Sequence, residues 1–386
     1  MKTIKELYHR LNYEKDFEKK YPGYSTRDDK IHVLYIGPCL NASGLYRMIL
    51  PALEMNKTRS HAGIISNIHR WDFTKRFDDY DHPVDPRLIE WADYIVLPAM
   101  MNDASYILDT FLKKNKALEF VMDIDCNLHE IPEGHPGFRQ VTAKDKDTLL
   151  ANISKMDYLT APSESLLDYY DRLIDGKHRQ SHVFLDYFPN LLSNYIYEGI
   201  KDIFRSSSEK VRIGLVMNAG HLHDLAIIEK VIRQIMEKFK DKVELIVFGW
   251  KDNDAALKDI PVTWEKPVPV TEYFDTLNNL MFDIALLPLK DIPFNTHGKS
   301  FHKYLELATF HVPVIASDVS PYREVIKDGE NGFLAKSDED WISRLEKLIE
   351  DKSYCEQVGY EAWKQAWGKY AWTMNSLAPL QNLFNG

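Results

Sequence analysis

FDIALLPLKDIPFNTHGKSFHKYLELATFHVPVIASDVSPYREVIKDGENGFL, residues 282–334, runs as strand, polar loop, helix, strand and turn. The apolar run 283–289 has the length and composition of a buried parallel strand. Residues 293–300 break that pattern, and a helix is predicted to open near Lys299. On a helical wheel Phe301, Tyr304, Leu305 and Ala308 share one face, and Lys299, His302, Lys303 and Glu306 share the other. PVIA (313–316) is the next strand, and Pro321-Tyr322 turns away from its end. A helix start just past a strand is an anion site, because free N–H groups and the helix dipole both attract negative charge. Lys299 adds a full charge there, and Glu306, two turns on, can accept hydrogen bonds from a diol. Phosphate at one end and a diol at the other is the shape of a nucleotide. The same spacing also describes an ordinary amphipathic helix with a solvated face.

Composition narrows the function classes. The chain has 386 residues, room for two ordinary domains, with 45% hydrophobic and 27% charged residues. Its net charge is −10, and the basic footprint of a nucleic-acid binder is missing. Cys39, Cys126 and Cys355 are far apart without metal-ligand spacing, as expected of a reducing cytoplasm. The N-terminus is charged and does not resemble a signal peptide. No apolar run approaches the ~20 residues of a membrane span, leaving at most peripheral contact at the inner face of the membrane. No Walker loop, Gly-x-Ser-x-Gly elbow, paired-cysteine zinc pattern or internal repeat is present.

Earlier in the chain, an amphipathic start (Ile4, Leu7, Leu11) precedes the first convincing strand, IHVLYIG (31–37). It feeds a small-residue loop ending at Gly44, where a ligand can approach the backbone closely. Strands are predicted at 64–68, 94–98 and 119–123, alternating with helical segments, which signals parallel βαβ units. The last ends in Asp123-Ile-Asp125-Cys-Asn-Leu-His129, acids and a histidine where α/β sheets place ligands. Asp123 or Asp125 could equally cap a turn. A metal site from this Asp-x-Asp pair is set aside, because the fold that uses such a pair lacks a second domain like 211–365. Ser163 is a predicted N-cap with Glu164 in the first turn. The Ser206-Ser207-Ser208 run marks a linker, after which VRIGLVM (211–217) opens a second domain. Asn218, Gly220, His221 and His223 follow that strand, and Gly249-Trp250 ends the next one at 242–250. The histidine pair reads more readily as structural than as metal-binding. The aromatic tail 360–383 is either a membrane belt or a core-packing helix, and the lack of a basic cluster favours packing.

The pieces FDIALLPL, FN, KS, KYLELA, PVIAS, PYREVI and DGENGFL resemble the donor-nucleotide half of GT-B-fold glycosyltransferases, in the group similar to retaining bacterial polysaccharide enzymes. The resemblance is continuous over about 205–375 and looser over 31–200. It implies an α/β protein of two Rossmann-like domains facing across a cleft, with a C-terminal helix crossing back to the first. The expected boundaries are 1–205 (acceptor side), 206–365 (nucleotide-sugar binding) and 366–386 (returning helix). It further implies transfer of a hexosyl group from a nucleoside-diphosphate sugar to a glycan or lipid-linked acceptor, with retention and without a metal cofactor. A non-catalytic glycan-binding subunit or a nucleotide-sugar epimerase on the same fold are the alternatives. Lys299 would contact the diphosphate and stabilise the leaving group, and Glu306 the ribose. Asn295, Ser300, the 218–223 loop, Gly249 and Gly44 would line the donor site. Asp125 and His129 would act from the first domain. Two departures stand out: Gly298 occupies the place of a second glutamate. His221, His223 and Asp224 stand where many relatives carry an Arg and a Lys.

Overall fold

A computed structural model describes residues 1–25, 28–68, 84–177, 183–198, 200, 209–250 and 257–385. The expected linker at 206–208 lies outside them. Twelve strands form two parallel sheets among the described residues. The first sheet holds β1 (Ile31–Tyr35), β2 (His61–Ile65), β3 (Tyr94–Pro98), β4 (Glu119–Asp123), β5 (Tyr158–Ala161) and β6 (Phe184–Tyr187), in the order β2-β1-β3-β4-β5-β6. The second holds β7 (Val211–Val216), β8 (Val243–Phe248), β9 (Val262–Glu265), β10 (Ile284–Leu287), β11 (Val314–Ser317) and β12 (Phe333–Ala335), in the order β12-β11-β10-β7-β8-β9. This is the Rossmann-like pair of sheets of the GT-B class.

Local chemistry sets these limits. β10 is buried at every residue because β7 and β11 flank it and helices cover its faces, so its sequence is continuously apolar rather than alternating. It ends at Leu287 because Pro288 cannot donate to a ladder, and the Leu289 N–H turns to Ser317 Oγ at 2.8 Å. The expected strand at 64–68 lies earlier, at His61–Ile65, where it pairs with β1 in register Tyr35 to Ile65. In the second unit, Trp341, Leu345 and Leu348 of the helix Asp338–Glu350 join Ile213, Leu215 and Val247 in one core.

By its contacts the chain divides into two compact units. One comprises Met1–His129, Val141–Glu198 and Trp372–Gly386; the other comprises Glu130–Gln140 and Gly199–Ala371. Within the first, the N-terminal helix Lys2–Tyr13 buries Ile4, Leu7 and Leu11. The last helix, Met374–Leu383, buries Leu377, Leu380 and Leu383, and Phe384 packs edge-on against Tyr94 at 5.1 Å. Trp372 anchors this segment through its N–H to Leu192 O at 2.8 Å. Burying such a side chain is worth roughly 1.5–3 kcal/mol, and a domain's whole stability is only about 5–15 kcal/mol. Deleting 372–386 is therefore expected to leave a chain that aggregates and loses cooperative melting. A monomeric truncation with an unchanged melting temperature would contradict this.

Candidate active site

In the second sheet the chain runs from β7 outward through β8 and β9, then returns to β10 on the opposite side of β7. The connections leaving β7 and β10 therefore part company at their carboxyl ends, the place where open α/β sheets bind ligands. The chemistry-bearing residues of this unit collect on those two connections.

After β7 the backbone makes a tight turn, Ala219–His221. Gly220 donates its N–H to Asn218 Oδ1 at 2.9 Å. It has no room for a side chain: a Cβ there would lie 2.6 Å from His135 Nε2. His135 comes from the Glu130–Gln140 segment, and its ring lies 5.1 Å from that of Phe294. One turn on, Asp224 is fully buried. Its Oδ1 accepts from the Lys290 N–H at 2.8 Å and from Asn295 Nδ2 at 2.9 Å, and His223 Nε2 lies 3.4 Å away. Asp224 Oδ2 and Asn295 Oδ1 are buried without a hydrogen-bond partner among the described residues. Asn295 thus ties the two connections together while keeping an acceptor in reserve.

After β10 the expected helix start moves. Residues Pro293–Thr296 form a separate turn, and the helix proper is His302–Thr309. Lys299 precedes it; its own N–H is taken by Asn295 O at 3.0 Å, and its Nζ lies 4.8 Å from the centre of the Phe294 ring. Ser300 Oγ is 2.9 Å from His302 Nδ1. The polar face is not solvated. Glu306 is 3% exposed and accepts from Tyr273 Oη at 2.9 Å, and Lys303 Nζ donates to Val216 O at 2.9 Å. The helix turns its polar residues to β7 and the loop beyond it, and its apolar ones to the core.

These contacts set a positive field. Burial, then Lys299 and His223, lowers His135 to about 4. Burial, then Lys303 and Lys299, lowers His302 to about 3 and pushes His221 well below the usual imidazole range. Lys303 itself is brought down to about 7 by burial and then by Lys299. Burial also lowers His223 and raises Asp224. The four imidazoles and Lys303 resist a proton here, and Lys299 contributes to each of those depressions, whereas the Asp224 carboxyl takes one more readily than usual. Burial disfavours charge of either sign, as Asp224 shows, and the sign-specific part of these shifts is the positive potential of Lys299, which an anion would meet favourably.

Asn218, Gly220, His221, His223, Asn295, Lys299, Ser300 and Glu306 are thus gathered in one unit. Gly249 adjoins them: its φ of +91° suits glycine, and a Cβ would stand 2.3 Å from Met217 O. Gly44, Asp125 and His129 belong to the first unit. There Gly44 is buried and gives its N–H to Asn41 Oδ1 at 2.9 Å. His129 Nδ1 lies 3.3 Å from Tyr170 Oη, and its carbonyl accepts from Lys146 Nζ at 2.7 Å. Asp123, expected to be free for function or to cap a turn, does neither. It is buried and bound by Arg47 Nη2 and Thr160 Oγ1, each at 2.7 Å. Sequence reading passed over His135 and gave Lys303 no role. Lys303 was findable, one turn before Glu306 on the polar face. His135 carries no local signal.

Residues 302–365 match the family described as glycosyl transferases group 1. Among curated proteins none matches the chain. Solved structures share the fold at low identity. TarM of S. aureus, with UDP and α-GlcNAc-glycerol, matches at 15% identity and TM-score 0.53 over 78% of this chain and 59% of its own. The chain thus spans about three fifths of TarM's length. HepE of Anabaena, with UDP and glucose, matches at 10% identity and TM-score 0.58 over 92% and 98%. A putative UDP-N-acetylglucosamine 2-epimerase from Listeria monocytogenes matches at 12% and 0.50 over 92% and 95%. Together these define the class by its fold: a GT-B-fold protein in which residues 302–365 are similar to the glycosyl transferases group 1 family.

Proposed function

We propose that the protein transfers a hexosyl group from a nucleoside-diphosphate sugar to an acceptor hydroxyl, with the second unit holding the donor. The observation that carries this reading is the convergence of Lys299, Lys303 and imidazoles that resist protonation at the switch point between β7 and β10. The diphosphate takes the cationic end, Glu306 the ribose, and the bare oxygens of Asp224 and Asn295 accept from hydroxyls of the donor. Negative charge grows on the diphosphate as the glycosidic bond breaks, and Lys299 and Lys303 stabilise it without a metal. Asp125 and His129 serve the acceptor or the transferred sugar. The matched glycosyltransferase segment favours transfer over epimerisation on this fold. Retention and a glycan or lipid-linked acceptor in cell-surface polysaccharide or glycoconjugate synthesis complete the proposal. Among the described residues no helix is long and apolar enough to cross a membrane.

A thermal-shift series over UDP-, GDP-, ADP- and dTDP-linked sugars tests the donor site, since a ligand of the native state alone raises the melting temperature. UDP-sugars, by analogy with the UDP of HepE, are expected to give the largest rise. Product analysis with and without acceptors then separates the rivals. Sugar isomerised in the absence of acceptor would make the protein an epimerase, and binding without any product would make it a lectin-like subunit.

A further inference from the structure

The contacts of His221 fix where its proton sits. The Asn218 backbone N–H points at His221 Nδ1 at 3.2 Å, and a backbone N–H can only donate. Nδ1 is therefore the bare nitrogen, and the single proton of the neutral ring is on Nε2. That nitrogen lies 3.0 Å from Lys303 Nζ. An ammonium has three N–H bonds and no lone pair, so it cannot accept from Nε2–H. The contact is a hydrogen bond only if Nζ is an amine, accepting from His221 while giving one of its own hydrogens to Val216 O at 2.9 Å.

The surroundings agree. Lys303 faces Lys299 from the preceding loop, His221 and Asp224 from the connection after β7, and His302 and Glu306 from its own helix; His223 lies beyond His221. Of these, Lys299 opposes a second positive charge, whereas Glu306 and Asp224 favour it. Burial is the largest influence and disfavours the charge, bringing the group to about 7.

We propose that Lys303 is an uncharged amine in the unliganded protein and takes up a proton from solvent when a diphosphate enters, so that anion binding here is coupled to proton uptake. The inference rests on the donor-site reading above and adds its chemistry. Once protonated, Nζ can no longer accept from His221, so that contact breaks. The ammonium and the freed His221 Nε2–H then both donate to the phosphate oxygens. The site gains a charge and a second donor only when an anion is there to use them.

Two measurements on the full chain test this. In the first, the unliganded protein is labelled competitively with fluorodinitrobenzene across pH, and the Lys303 peptide is followed by mass spectrometry. The midpoint is the readout, because limited access slows the reaction without moving it. A midpoint near 7 is expected; one near the ordinary lysine value of about 10.4 overturns the proposal. In the second, UDP is titrated calorimetrically at pH 8 in HEPES and in Tris, buffers with different heats of ionisation. Net uptake approaching one proton per UDP is expected, with affinity falling by up to about tenfold per pH unit above 7. Below about pH 6 the uptake should vanish, since Lys303 is already charged. Lys303→Arg, always charged, should bind UDP with no uptake. Binding by wild type with no buffer dependence, or uptake that persists in Lys303→Arg, overturns the proposal. Failure of UDP to bind at all counts against the donor-site reading, while the labelling midpoint still decides the charge of Lys303.

Discussion

Arg47→Met is expected to cost the first unit about 3–5 kcal/mol, the usual penalty for stranding a buried charge. Arg47 and Asp123 are both buried, at 2% and 5% exposure. The guanidinium reaches Asp123 through Nε at 3.0 Å and Nη2 at 2.7 Å, gives Nη1 to the Phe188 carbonyl, and lies over the Phe188 ring. Burial already holds the Asp123 carboxyl above its usual range although Arg47 opposes this. Without Arg47 that rise must grow. The sign follows: the variant's deficit is full where Asp123 must ionise and shrinks as pH falls and the carboxyl takes a proton. Urea titrations at pH 7 and pH 5 should show the deficit narrowing at the lower value. Arg47→Met with Asp123→Leu should recover most of the loss, because an apolar pair leaves no charge behind. A single variant within about 1 kcal/mol of wild type would show that the pair contributes no such stability.

Lys299→Ala should lower turnover by on the order of 10²-fold or more, the effect of deleting one preorganised group that stabilises developing charge. It should weaken nucleoside-diphosphate binding too, since the ground-state diphosphate already carries that charge. Its melting temperature should change little, because Lys299 is only half-buried and lies outside the apolar core. Asp125→Asn should differ in one respect: it should slow turnover too, but with nearly unchanged affinity for free UDP. Calorimetry beside an acceptor assay separates the two. Glu306 needs the conservative variant Glu306→Gln, which keeps an acceptor oxygen for the Tyr273 hydroxyl. If the Asp125 variant loses UDP affinity as Lys299→Ala does, the assignment of Asp125 to the acceptor side is wrong.

The parallel sheets were legible where a strand is buried on both faces. The expected strands at 94–98 and 119–123 coincide with β3 and β4, and that at 211–217 runs one residue past β7. β9 and β12 were missed: each lies at a sheet edge, and they run to four and three residues. Helical spacing singled out Lys299 and Glu306; the structure places both in the second unit, with Lys299 in the loop before the helix that carries Glu306. The helix start could not be read, since the Pro293–Thr296 turn takes up residues that look like loop. Asp123 was misread for want of its partner, which lies 76 positions away in sequence. His135 was invisible for the same reason, as nothing near it in the chain marks its place beside Gly220.

The first unit draws on three stretches of chain, and the last, Trp372–Gly386, supplies Phe384 and three buried leucines. Domains commonly fold as they emerge from the ribosome, the N-terminal one first. Here that order fails. The opening unit must wait, short of one helix, until the whole second unit has been translated. The Glu130–Gln140 strip, conversely, is made long before the sheet it joins. A nascent chain stalled before Trp372 would hold a finished second unit and an unfinished first one, with the apolar seat of the missing helix open to chaperones.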